Sequence, residues 1–217
     1  MIERSIAAGT HGRYLVVPPA GRAPAPLLVG FHGYAEGAET QLERMRAIPA
    51  AARWMLVAVQ GLHRFYQRRT NEVVASWMTR QDRELAIDDN VAYVEAVVDA
   101  VVREWTMPSR IVFAAFSQGV ATAFRAAARP TRRLAGVIAV GGDVPPELDA
   151  TALTRIPAVL VCRGASDEWY TTAKFDSDIG RLRAAGSAVT PVAFDGGHEW
   201  SDPVVKAAST FLDERFA

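Results

Sequence analysis

Along the chain, short unbroken runs of apolar residues alternate with longer stretches whose apolar positions recur every three or four residues. Unbroken runs suit strands buried on both faces, and the helical spacing suits helices with one buried face. Strands are predicted at Leu27–Phe31, Trp54–Val59, from Ile111 into Phe116, Leu134–Val140, Ile156–Val161 and Val189–Phe194. Helices are predicted at roughly Glu39–Ala52, Leu85–Trp105, after Ser117 as far as Arg129-Pro130, Thr172–Ala185 up to Gly186, and from Asp202 to about Phe216. Gly12–Val17, closed by Pro18-Pro19, reads as an early edge strand with Ile2–Ala7 as its hairpin partner. Strand alternating with helix predicts an α/β fold: a mostly parallel, doubly wound sheet with helices on both faces. No repeat or linker divides the chain, so one domain over 1–217 without a large cap is expected.

Residues 60–84 break this rhythm. They are polar, lack clean periodicity and are longer than an ordinary connection, which predicts a flap on the substrate side of a site. Phe65, Tyr66 and Trp77 lie in this stretch, with Arg64, Arg68 and Arg69 around them. The arginines read as solvated surface ahead of an acidic-ligand patch. For Trp77, core packing and a place against the substrate weigh equally.

Composition narrows the function classes. Of 217 residues half are hydrophobic, and 24 basic side chains balance 24 acidic ones, which excludes a disordered chain and the basic footprint of a nucleic-acid binder. The lone cysteine, Cys162, sits in an apolar run and reads as a buried structural thiol. No basic stretch followed by a long apolar segment opens the chain and no segment reaches membrane-spanning length, so a cytoplasmic protein acting on a small molecule, as monomer or homodimer, is expected.

The chemistry centres on Ala115-Phe-Ser-Gln-Gly119, where a strand passes through a sharp turn straight into a helix. A serine at such an elbow projects its hydroxyl above the carboxyl edge of the sheet, at the positive end of the helix. The usual pattern has glycine two places before the serine; here it is Ala115, and a helix-capping serine is the plain alternative. The other strand ends decide the matter. In a parallel sheet the loops carrying His32-Gly33-Tyr34, Ser117, Asp167 and His198 converge on one edge. Serine needs a base to become a nucleophile, histidine is that base near neutral pH, and a carboxylate holds the imidazole in the required tautomer. Of four histidines, His11 and His63 lie in polar surroundings, His32 reads as a structural brace, and His198 follows the last strand. Asp143 and Asp195 compete with Asp167 as the acid; Asp167 is preferred because it follows the penultimate strand. The order Ser117, Asp167, His198 is that of an α/β-hydrolase.

Taken together, HGYAEGAE, AFSQG, the Asp167 segment and GGHEW resemble the phospholipase/carboxylesterase family of α/β-hydrolases over about Leu27 to Phe211. The resemblance implies Ser117, Asp167 and His198 as the catalytic triad, and the backbone N–H groups of Tyr34 and Gln118 as the oxyanion hole. Ser76-Trp77-Met78 is similar to a tryptophan-bearing segment near the family's substrate site. Asp167-Glu-Trp-Tyr170 departs from the small aliphatic residues and proline common among relatives, so the family does not settle the substrate. The resulting expectation is a serine carboxylesterase, thioesters within its scope, working through an acyl-enzyme without cofactor or metal, with Trp77, Trp169 and Trp200 as candidate substrate walls. A peptidase or amidase of the same fold and a non-catalytic binding protein are the rivals.

Overall fold

The computed structural model describes residues 1–19, 24–105, 108–129 and 131–216, so the proline stop expected at Pro130 lies outside the described residues. Seven strands form one sheet in the order β1-β3-β2-β6-β7-β8-β9. They are β1 (Arg13–Val17), β2 (Leu27–Phe31), β3 (Met55–Gln60), β6 (Ile111–Phe116), β7 (Gly136–Val140), β8 (Ala158–Gly164) and β9 (Ala188–Phe194). All pair in parallel except β1, which runs antiparallel to β3.

Every residue of β2, β3, β6, β7 and β8 is buried, as the unbroken apolar runs require. Alternate side chains of a strand point to opposite faces. Leu27, Val29 and Phe31 accordingly join one core with helices α2 (Arg83–Trp105), α3 (Gln118–Ala127) and α5 (Thr172–Ala184). Leu28 joins the other core with α1 (Ala38–Arg46) and α6 (Asp202–Phe216). The edge strand β9 is only partly buried up to Phe194 and carries Pro191, whose missing N–H is tolerated where a strand has one free side.

Four expectations need correction. Ile2–Ala7 is no strand but an exposed segment, because β1 finds its partner in the hydrophobic β3, Tyr14 lying opposite Val59. The first helix ends at Arg46, and Pro49–Arg53 form a separate 3-10 turn. Pro49 lacks the N–H an α-helix needs and forces Ile48 into extended geometry. Residues 60–84 are not irregular: His63–Tyr66 (β4) and Val73–Ser76 (β5) pair as an antiparallel hairpin. Its tip is closed by Asn71 at φ 58°, a conformation asparagine tolerates. The loop after β7 also contains a short helix, α4 (Ala150–Leu153), capped by the Asp149 carboxylate on the Ala152 N–H at 2.8 Å.

Candidate active site

Parallel registry brings the carboxyl ends of β2, β6, β7, β8 and β9 to one edge: Phe31 pairs with Ala115, Phe116 with Val140, Val140 with Cys162 and Gly164 with Phe194. Ser117 stands alone between β6 and α3 at φ 51°, ψ −122°. A non-glycine residue held there stores roughly 1–3 kcal/mol of backbone strain, which the surrounding packing must sustain. The turn is tight enough that a Cβ on Gly119 would lie 2.5 Å from the His32 carbonyl oxygen. Ala115, where the common pattern has glycine, is absorbed in the core without exposure.

Ser117 Oγ lies 2.8 Å from His198 Nε2, and His198 Nδ1 lies 2.9 Å from Asp167 Oδ2. Asp167 is buried, and its second oxygen accepts from the Trp169 and Tyr170 N–H groups at 2.9 Å each, so the carboxylate's aim is fixed by its own loop. The acid and histidine loops are laced together. Ser166 N–H donates to Gly196 O at 2.9 Å, and a Cβ on Gly164 would strike Gly197 O. The imidazole packs on Phe116, ring centres 5.0 Å apart. Asp143 lines the same cleft but lies beside Lys174, and Asp195 is exposed; neither bonds to His198. His11 and His63 are exposed.

On the other side of Ser117 lie Gln118 and Tyr34. The Gln118 N–H is the first of the helix's unsatisfied donors, and among the described residues neither it nor the Tyr34 N–H has an acceptor. The turn carrying Tyr34 is held from beneath. Buried His32 places Nδ1 2.6 Å from Gly33 O and accepts the Gly61 N–H on Nε2 at 2.9 Å. Burial pushes its pKa down, consistent with the neutral ring these bonds require. Gly33 N–H donates to Glu36 Oε2 at 2.7 Å, and Arg44 grips both oxygens of Glu36 at 2.6 and 2.7 Å. Burial works to raise the Glu36 carboxyl, but Arg44 and the Gly33 N–H outweigh it and hold the group below the usual carboxylate range. Arg44 also lies over the Phe116 ring, 4.2 Å from its centre.

The tryptophans part company. Trp77 is fully buried beneath the turn, donating its indole N–H to His32 O at 2.8 Å, so core packing is its place and it lines no part of the cleft. Trp200 is partly buried and packs on the second core, away from the cleft lining. Only Trp169 lines the cleft, 77% exposed. The hairpin reaches the site through its end: the Gln118 side chain accepts from Trp77 N–H at 3.0 Å and donates to Met78 O at 3.1 Å, leaving Met78 in the cleft wall. Phe65 stacks against Tyr34 at 5.8 Å, while Arg64 donates to His11 O and, with Arg68 and Arg69, is absent from the cleft lining. The Glu36–Arg44 clamp and the Gln118 side-chain lock escaped sequence reasoning; Glu36 stood inside the HGYAEGAE block, which is the only signal that could have found it.

The cleft encloses about 690 Å³ and is walled by Met78, Phe116, Ala121, Pro145, Pro146 and Trp169 above the serine. Among the described residues no helix is long and apolar enough to cross a membrane.

The fold has counterparts. The carboxylesterase of Bacillus cereus is similar at 17% identity with a TM-score of 0.77, 94% of this chain covering 95% of that one. A Mesorhizobium loti carboxylesterase is similar at 19% identity and TM-score 0.77, with 93% and 94% of the two chains covered. Acyl-protein thioesterase 2 of Zea mays is similar at 18% and 0.73, with 95% and 100% covered. At such identities these likenesses speak for the fold. No curated protein matches the sequence. The sequence profile of the Phospholipase/Carboxylesterase family, however, matches residues 13–215. With that match running through every strand of the main sheet, the chain belongs to the phospholipase/carboxylesterase family of α/β-hydrolases.

Proposed function

We propose that the protein is a serine hydrolase that cleaves carboxylic esters, thioesters included, through an acyl-enzyme. The observation that carries this reading is the unbroken relay from Asp167 through His198 to Ser117, at 2.9 and 2.8 Å, beside two backbone N–H groups that have no acceptor among the described residues. Ser117 Oγ attacks the substrate carbonyl while His198 Nε2 takes its proton; Asp167 holds the Nδ1–H and stabilises the imidazolium. The carbonyl oxygen, now an alkoxide, is met by the N–H groups of Gln118 and Tyr34. Loss of one such donor costs on the order of 100- to 1000-fold in kcat. The tetrahedral adduct collapses, His198 passes the proton to the departing alcohol or thiol, and a water activated by the same histidine releases the acid. The open cleft and its apolar walls suit small to medium acyl groups.

Stopped-flow hydrolysis of p-nitrophenyl acetate tests the scheme. Wild type is expected to release a burst of p-nitrophenol approaching one equivalent, and Ser117→Ala neither burst nor turnover above about one ten-thousandth of wild type. Substantial turnover by a folded Ser117→Ala protein would place the nucleophile elsewhere.

A further inference from the structure

Beyond the serine, the cleft continues along α3. Ala121 and Arg125 both line it and follow Ser117 by four and eight residues, which places them on the face that Ser117 caps. Eight residues at the helical rise set the Arg125 backbone about 12 Å from that of Ser117, and helical side chains lean toward the N-terminus. That lean is toward the helix end that carries Ser117, and Arg125 and Ser117 line the same cleft.

Its surroundings leave it incompletely satisfied. Only 6% of the Arg125 side chain is exposed, and Nε is engaged by Glu147 Oε1 at 2.7 Å. Among the described residues Nη1, which is out of solvent, has no acceptor, and Nη2 makes no bond. Guanidinium cannot shed its proton, so donors left empty in a buried site represent unrealised binding energy. Two further cations line the same cleft: Arg83 at the start of α2, which meets exposed Glu84 at 3.2 Å, and Lys174 in α5, whose Nζ lies 3.1 Å from Trp169 O and 4.0 Å from Asp143. Among the described residues the carboxylates lining the cleft are Glu36, fully engaged by Arg44 and Gly33, and Asp143, held only loosely by Lys174; Glu147, which pairs with Arg125, is outside the lining. The arginines of the β4–β5 hairpin contribute nothing here.

We propose that the α3 side of the cleft is an anion subsite, in which Arg125, assisted by Arg83 and Lys174, receives a carboxylate or phosphate carried by the ester a few bonds from its scissile carbonyl. The preferred substrates are thus anionic esters. The proposal rests on the serine-esterase reading for its catalytic consequence, though not for the binding itself.

Two pairs of esters differing only by carboxylate against carboxamide test it and locate the anion. Mono-p-nitrophenyl adipate and its monoamide place the charge on the acyl half; p-acetoxyphenylacetate and p-acetoxyphenylacetamide place it on the leaving half. In wild type, kcat/KM for the anionic member of at least one pair is expected to exceed that of its amide by about tenfold or more, the scale of one charge-assisted hydrogen bond. In Arg125→Met the ratio falls to about one, and in Arg125→Lys it stays between the two. A wild-type ratio at or below one in both pairs overturns the proposal whether or not Arg125→Met folds, and so does a ratio unchanged in a folded Arg125→Met. In parallel, adipate and adipamide are titrated calorimetrically into the Ser117→Ala protein with and without Arg125→Met. Arg125-dependent preference for adipate without any esterase turnover would keep the subsite and remove the hydrolase reading. Turnover of neutral esters with no preference for adipate over adipamide would do the reverse.

Discussion

Asp167 illustrates how much of the site's order resides in single hydrogen bonds. One oxygen is held by two backbone N–H groups and the other faces His198, so the carboxylate has no freedom to turn. Replacing it by Asn keeps the shape but offers His198 an N–H where an acceptor is needed, stabilising the wrong tautomer. Asp167→Asn is expected to lower kcat about 1000- to 10,000-fold with little change in thermal stability, as measured by p-nitrophenyl ester turnover and differential scanning calorimetry. Residue identity also explains what was legible in the sequence. Ser117, Asp167 and His198 each follow an apolar run, and a parallel sheet brings such positions together. The tryptophans carried no such address. An aromatic ring suits a core and a cleft equally, and only the path of the chain beneath the Tyr34 turn assigns Trp77 to the core and Trp169 to the cleft.

Among the elements, the loop between β2 and α1 bears most directly on the mechanism proposed. Its Tyr34 N–H is useful only while Gly33 is fixed, and Gly33 is fixed by His32 on one side and the Glu36–Arg44 pair on the other. Arg44 is largely buried against Phe116, so this is not a surface ion pair with negligible effect. Arg44→Met removes both bonds to Glu36 while preserving much of the packing. We expect kcat for neutral esters to fall about tenfold or more with KM within about threefold, because the loosened N–H acts on the transition state. An increase confined to KM would assign the clamp to substrate binding instead. The β4–β5 hairpin shows why an element was missed. Both strands have only four residues: β4, His63-Arg64-Phe65-Tyr66, buries none of them fully, and in β5 only Val74, Ala75 and Ser76 are buried. It is held by main-chain bonds from Ala35 to Ala75 and back from Ala75 to Glu36, which no side-chain pattern announces.

At the scale of the whole molecule, two apolar cores sandwich the sheet, and the site is assembled where its strands end. That layout was readable because fully buried parallel strands leave continuous apolar runs; helix boundaries such as Arg46 were not, since the spacing of apolar residues continues past the break at Pro49. Stability and the site are coupled through His32, which the fold buries in neutral form. Its folded pKa lies below the ordinary 6.5, so the unfolded chain binds the additional proton and stability falls as pH drops below about 6.5. Glu36 and Glu147, held below the usual range, lose their contribution only at more acidic pH, below about 4.5, and Asp178, raised mainly by burial, works in the opposite direction. The midpoint of thermal unfolding is expected to decline between pH 7 and 5, and His32→Gln, which retains an acceptor for Gly61, should flatten that decline. An equal slope in the variant would place the proton uptake elsewhere. The central claim, that Ser117 is an activated nucleophile, is tested most directly by treating the purified protein with a fluorophosphonate and locating the adduct by intact and peptide mass spectrometry. The account predicts one stoichiometric adduct on Ser117, absent from Ser117→Ala; a folded wild type that stays unlabelled, or is labelled on another residue, would contradict it.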